Sequence, residues 1–173
     1  MKEKNGEHPF GDAGQLILLG VFLVLWVGDS FFLGKSTFLS EYVPLYLRLV
    51  ILGLALIIAM YLFRSGHVVV SHEERPKGVV ATGAFRYVRH PLYLASILTY
   101  LGLTVSTASL LSLALFVVIV IFHNYIASYE EKLLEKKFGE EYESYKKRTG
   151  KWVPRIGKER WASREAESSH RAA

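Results

Sequence analysis

The sequence predicts an all-α integral membrane protein with about four transmembrane helices, the last two a helical hairpin, and then a cytosolic amphipathic C-terminal helix. Three observations carry this. Hydrophobic residues make up 51% of the 173 residues, and they are gathered into blocks, unlike those of a soluble globular chain. Basic residues concentrate between the second and third blocks and after the fourth. Beyond the last block, apolar residues recur at helical spacing among Lys and Glu. A single membrane domain is expected over 1–173.

The first block, Leu16 to Leu33, is broken only by Gly20, Gly28, Asp29 and Ser30, and predicts a membrane helix over 15–33. The second, Val43 to Phe63, holds Arg48 as its one charge and predicts a helix over 43–63. A hydrocarbon core of about 30 Å takes roughly 20 helical residues, which both supply. The third block, Leu92 to Val105, predicts a short helix over 91–105 that rises only about two-thirds of the way across. The fourth, Leu110 to Phe122, spans by continuing through His123, Asn124 and Tyr125 to Tyr129, giving 109–129. Ser106-Thr107-Ala108-Ser109 makes the hairpin turn, and its hydroxyls are suited to cap the fourth helix.

The polar segments fix the orientation. Residues 64–90 form a loop holding Arg64, Arg75, Lys77, Arg86 and Arg89 against Glu73 and Glu74, whereas the loop between the first two blocks carries only Lys35 and Glu41. The positive-inside rule then places 64–90 and the C-terminal tail in the cytoplasm, and four helices return the N-terminus there too. The net charge of +5 suits contact with anionic membrane lipids. Within the tail, Leu134, Phe138, Tyr142 and Tyr145 predict one amphipathic helix over 130–149, with Gly150 as its stop. Taken alone it reads as a helix lying on the membrane surface. Residues 160–173 are polar and small, and are expected to be a disordered tail.

Several classes are excluded. Residues 1–14 are polar and mixed in charge, with no small-residue cleavage site after the first block, so no cleavable signal is expected. Without cysteine there is no disulfide framework and no thiolate metal site or nucleophile. No nucleic-acid module is present. H-E-x-x-H, G-x-S-x-G and phosphate-cradling loops are absent, which removes the common hydrolase and nucleotidase routes.

Two places carry chemistry. Arg89-His90-Pro91 lies where the 64–90 loop enters the membrane, with Pro91 suited to the first helical turn. Helix-start amides beside Arg89 and His90 suit a carboxylate or phosphate, while Arg and Tyr at an interface also anchor to headgroups. Glu130 and Glu131 stand where the fourth helix leaves the membrane. They either favour the dipole of the tail helix or offer a carboxylate to an ammonium group. An anion site and a cation site together suit a zwitterionic amino-acid moiety, such as that of S-adenosylmethionine. Asp29 and Arg48 lie inside spans, where charge is costly; they either pair with each other or face the interface. With His123 and Asn124 they are candidate pocket residues, packing being the simpler role.

Thr82-Gly83-Ala84-Phe85, Arg89-His90-Pro91-Leu92-Tyr93, Glu130-Glu131, Phe138-Gly139-Glu140-Glu141-Tyr142 and Tyr145-Lys146-Lys147 resemble the isoprenylcysteine carboxyl methyltransferases and related phospholipid methyltransferases. The resemblance covers about residues 77–157. It implies an S-adenosylmethionine-dependent membrane methyltransferase acting on a lipid-like or prenylated acceptor, with its active site on the cytoplasmic face. By position it implies cofactor binding by Lys77, Gly78, Val79, Val80, Phe85, His90, Pro91, Leu92, Tyr93 and Glu130, with Arg89 and Glu131 the candidate catalytic residues; no metal is implied. The family's usual Gly two residues after the Tyr is Ala95 here. Isoprenylcysteine enzymes also carry an Arg one turn before the first Glu, where this chain has Ile126. Carboxyl O-methylation is the first reading and phospholipid amine N-methylation the second. An NADPH-dependent membrane reductase and a non-enzymatic lipid-binding protein follow. A carboxylate acceptor needs no general base; an amine or thiol acceptor can call for one, with Glu131 or His123 the nearest candidates.

Overall fold

The computed structural model describes residues 11–72 and 78–155. Its five α-helices are α1 (Gly11–Val27), α2 (Leu45–His72), α3 (Pro91–Thr107), α4 (Leu110–Phe138) and α5 (Glu140–Arg148). A π-helical turn, Gly28–Leu33, extends α1, and short 3-10 turns occupy Phe38–Glu41 and Gly83–Arg86. Among the described residues three helical stretches are long and apolar enough to cross a membrane: Ala13–Leu33, Leu45–His67 and Leu110–Phe138. The architecture is that of a multi-span all-α membrane protein, but not four equal spans.

Among the described residues the helix that falls short is α3, as its apolar block predicts. Pro91 starts it, and Ala108 ends it in a left-handed conformation with φ 51°. Its 17 residues rise about 26 Å, short of a hydrocarbon core of about 30 Å. The hairpin turn itself forms as its composition suggests: the Ser109 hydroxyl accepts the Ser112 amide at 3.1 Å and caps α4.

Small residues let α2 and α3 approach closely. A Cβ on Gly102 would meet Leu52 at 3.1 Å and Ala55 at 3.2 Å, and one on Gly66 would meet Leu92 at 3.0 Å. Ala95 packs with Ala59, Leu62, Ala84 and Val88, so α3 rests on α2 and on the turn that leads into the site. A second core joins α1, α3 and α4 through Phe22, Tyr100 and Ile119. Outside these cores, Leu16, Val24, Ile57 and Met60 present apolar side chains outward, as lipid-facing surfaces do.

Three boundaries differ from the sequence expectation. Helix α2 continues to His72, so the segment that begins at residue 64 is helical for its first turns. The expected single helix over 130–149 is two. Helix α4 runs to Phe138, and Gly139, at φ 52°, turns the chain into α5. That glycine takes a backbone conformation costly to other residues, and its amide donates to Glu135 O at 2.9 Å. The aromatic stripe of α5 is turned inward: Tyr142 and Tyr145 are buried, and the Tyr145 hydroxyl donates to Phe85 O. The expected tail at 160–173 lies outside the described residues.

Asp29 and Arg48 do not pair with each other. The Asp29 carboxylate accepts from the hydroxyls of Ser36 and Ser109, the latter at 2.7 Å. Ser36 in turn accepts the Leu110 amide on its carbonyl and the Leu111 amide on its hydroxyl. Asp29 thus completes the start of α4, where negative charge also opposes the helix dipole favourably. Arg48 donates to the carbonyls of Val43 and Ser106, at 3.1 and 2.9 Å, and ties α2 to the end of α3. Both are packing residues at the end of the bundle remote from His90.

Candidate functional site

The site forms where the start of α3 meets α4 two turns before its end. His90 is the residue before Pro91, so its backbone lies at the helix mouth, where the first-turn amides point outward by helix geometry. Opposite, Glu130 and Glu131 project about 100° apart on α4, and the packing divides them. Glu131 turns to Arg89 and His90, and Glu130 turns to Tyr93.

Glu131 Oε1 accepts from Arg89 Nε at 2.8 Å and lies 3.2 Å from His90 Nε2. The Arg89 and Glu131 side chains are 8% and 11% exposed, so this is a shielded ion pair. The rest of the guanidinium binds the C-terminal segment, donating to the carbonyls of Thr149 and Lys146. The Arg89 amide also donates to Gly150 O at 2.9 Å, beside a parallel bridge between Val88 and Gly150. Arg89 therefore fastens the end of α5 and Glu131 to the mouth of α3.

His90 is held by what surrounds it. Its ring stacks on Tyr93 at 5.7 Å and lies 5.8 Å from Trp152. Burial pushes its pKa below the ordinary histidine range, outweighing the Glu131 contact that raises it. The neutral ring has one proton, and the Glu131 contact assigns it to Nε2. Nδ1 then presents a lone pair towards Glu130 Oε2, 3.7 Å away and beyond hydrogen-bond length. Two acceptors facing each other at that spacing suit a bound donor cation. Glu130 also accepts from the Tyr93 hydroxyl.

The sign of this shift gives a stability prediction. Folded His90 stays neutral where the unfolded residue, near pKa 6.5, already takes a proton. Its contribution is present above that value and is lost as pH falls through the lowered folded pKa. Between pH 7.5 and 5, the melting temperature of the wild type should fall further than that of His90→Gln. Equal slopes in thermal unfolding across that window would contradict a buried neutral imidazole.

The other candidates separate into two groups. Pro91 is buried and Leu92 packs on α2 beside Gly66, so both set the helix mouth. Phe85 offers its carbonyl to the buried Tyr145 hydroxyl at 2.6 Å. Gly78, Val79 and Val80 are half-buried, and the Val79 amide donates to Glu141 of α5 at 2.9 Å. Those contacts fix the strip to α5 rather than to Glu130. Lys77 lies outside the described residues. Ile126 is buried at 2% exposure on α4.

Sequence reasoning missed the strap after α5. Lys151 Nζ donates to the Asn124 carbonyl and side-chain oxygen and to the Ser128 hydroxyl, the last at 2.7 Å. Trp152 Nε1 donates to Asn124 Oδ1 at 3.3 Å. Asn124 is therefore the dock for a segment that lays Trp152 against His90. Trp152, a large aromatic in a polar tail, was the available signal. Gly150 permits the tight turn: a Cβ there would stand 1.8 Å from Val153 O. His123 is 2% exposed, with Nδ1 2.8 Å from Ile119 O. Among the described residues no His, Asp or Glu cluster forms a metal site.

Residues 45–141 match the model of the phospholipid methyltransferase family, a stretch running from α2 into α5. A protein-S-isoprenylcysteine O-methyltransferase from Schizosaccharomyces pombe is 32% identical over 91 residues, which cover 52% of this chain and 39% of that protein. The chain thus spans about two-fifths of the length of the curated relative it matches. No solved structure matches it.

Proposed function

The chain belongs to the phospholipid methyltransferase family, and from that membership we propose that it transfers the methyl group of S-adenosylmethionine to an amine-bearing lipid headgroup. The observation that carries the cofactor assignment is the pair of facing acceptors, His90 Nδ1 and Glu130 Oε2, beside the start of α3. An ammonium donates to both, while the α-carboxylate of the same amino-acid moiety turns to the helix-start amides. Tyr93 steadies Glu130 through its hydroxyl, and Trp152 shields the outer side of His90.

The bound cofactor supplies an activated methyl group on a sulfonium, so the protein mainly aligns the acceptor and excludes water. Glu131 and Arg89 serve this by positioning: both hold His90 and the strap rather than the reacting atoms. The strip Gly78-Val79-Val80 with Phe85 would flank the rest of the cofactor. The positive-inside rule favours the cytoplasm as the side on which the site opens.

Isoprenylcysteine carboxyl O-methylation is the second reading, favoured by the fission-yeast relative. Against it, Ile126 stands buried where those enzymes carry their substrate-gripping Arg. The test uses purified full-length protein and S-adenosylmethionine labelled in the methyl group. Label is expected in an ethanolamine phospholipid presented in vesicles. Transfer only to a farnesylcysteine carboxylate would select the second reading, and no cofactor binding by calorimetry would defeat both.

A further inference from the structure

We propose that His123 accepts the proton that the lipid amine must lose before it can be methylated, which makes it a catalytic residue of the reaction. The inference rests on the methyltransferase reading above, and it chooses between the two candidate acceptor chemistries.

His123 lies on α4, 2% exposed. Its Nδ1 stands 2.8 Å from Ile119 O, an acceptor only, so Nδ1 carries the proton and Nε2 a lone pair. Nε2 is buried, and no described residue gives it a hydrogen-bond partner. A buried acceptor left unpaired is costly, and a donor on a bound ligand would complete it. The rings of Tyr93, Tyr100 and Phe122 stand edge-on to it at 5.6, 6.5 and 5.9 Å. Of these neighbours only the two phenols, both from α3, titrate.

Position supports the role. Glu130 and His123 are seven residues apart, so they share a face of α4 and lie about 10 Å apart along its axis. Tyr93 touches both, Glu130 through its hydroxyl and His123 through its ring. From an ammonium at Glu130 to the transferable methyl is about 6 Å over five bonds. With the cofactor laid along α4 towards His123, the attacking nitrogen would stand roughly 3 Å further on, in the neighbourhood of that residue. Glu131 is not available for this task, since its Oε1 already serves Arg89 and His90.

The chemistry balances. A protonated primary amine has no lone pair to attack with. Nε2 takes one N–H proton, and the freed nitrogen pair forms the C–N bond to the methyl carbon as the C–S bond breaks. The sulfur keeps that bonding pair and leaves as a neutral thioether, so the sulfonium charge ends on the methylated nitrogen. The imidazolium returns its proton to water after product departs. A carboxylate acceptor would need no base, and its oxygens would meet a lone pair instead of a donor.

The test is His123→Gln in the full chain, with ethanolamine phospholipid vesicles and labelled S-adenosylmethionine. Turnover should fall at least about a hundredfold while cofactor affinity stays within about twofold. Raising the pH should recover part of the rate, because the free amine becomes commoner without a base. Wild-type turnover and pH profile in the variant would overturn the proposal, as would loss of cofactor affinity in step with rate. If the variant does not fold, nitrogen NMR of histidine-labelled wild type replaces it. The Nε2 resonance should move when the amine lipid joins the protein and demethylated cofactor, and a fixed resonance overturns the assignment. A wild type that binds cofactor but methylates only a carboxylate also overturns it, whereas one that binds no cofactor removes the reading beneath.

Discussion

Glu131→Gln should lower the stability of the protein by about 3–5 kcal/mol, the loss typical when one partner of a shielded ion pair is removed. The guanidinium of Arg89 would remain beside α4 without its countercharge, and its links to Thr149 and Lys146 would have to hold it alone. The His90 Nε2 contact weakens with it. If Glu131 served only the helix dipole, the loss would stay under about 1 kcal/mol. Thermal unfolding in detergent separates the two. A second readout follows from the strap: proteolysis after Arg148 should quicken in the variant, because Arg89 joins Glu131 to the end of α5.

Glu130→Gln should behave differently. Its size and hydrogen bond to Tyr93 survive, but the carboxylate that faces His90 Nδ1 loses its charge. A charge-assisted hydrogen bond to an ammonium is worth about 1.5–3 kcal/mol, so S-adenosylmethionine affinity should fall about ten- to a hundredfold. The melting temperature of the protein without cofactor should change little. Calorimetric titration of both glutamine variants therefore gives a crossed pattern: Glu130→Gln binds weakly and stays stable, and Glu131→Gln unfolds early. Two variants that bind normally and melt alike would remove Glu130 from the cofactor site.

Much of the candidate site was readable along the chain. His90 and Tyr93 stand three apart around a helix-starting proline, and Glu130 and Glu131 mark the end of an apolar run; such local spacing is fixed by helix geometry. Their partners were not readable. Periodicity describes the faces of one helix, and it says nothing of what returns from far along the chain. The Thr149–Trp152 strap meets Arg89 and His90 from about sixty residues away, and a Trp in a polar tail gives no address. Gly139 was equally opaque: a helical stripe can be drawn through it, and only its left-handed backbone shows that α5 folds back to bury Tyr142 and Tyr145.

Asp29 and Arg48 show the same division. Their cost inside an apolar span follows from residue type, but each was satisfied by hydroxyls or carbonyls of other elements that pattern alone does not place. Read alone, the chain specifies apolar lengths, helix starts and the residue types that chemistry needs, because these follow from side-chain hydration and local backbone preference. The packing of α3 on α4 assigns roles: it turns Glu131 to Arg89 and Glu130 to Tyr93, and it buries His123 with one nitrogen unpaired. Adjacent side chains on a helix diverge by about 100°, so the rotation of one helix against its neighbour decides which carboxylate meets Tyr93 and which meets Arg89.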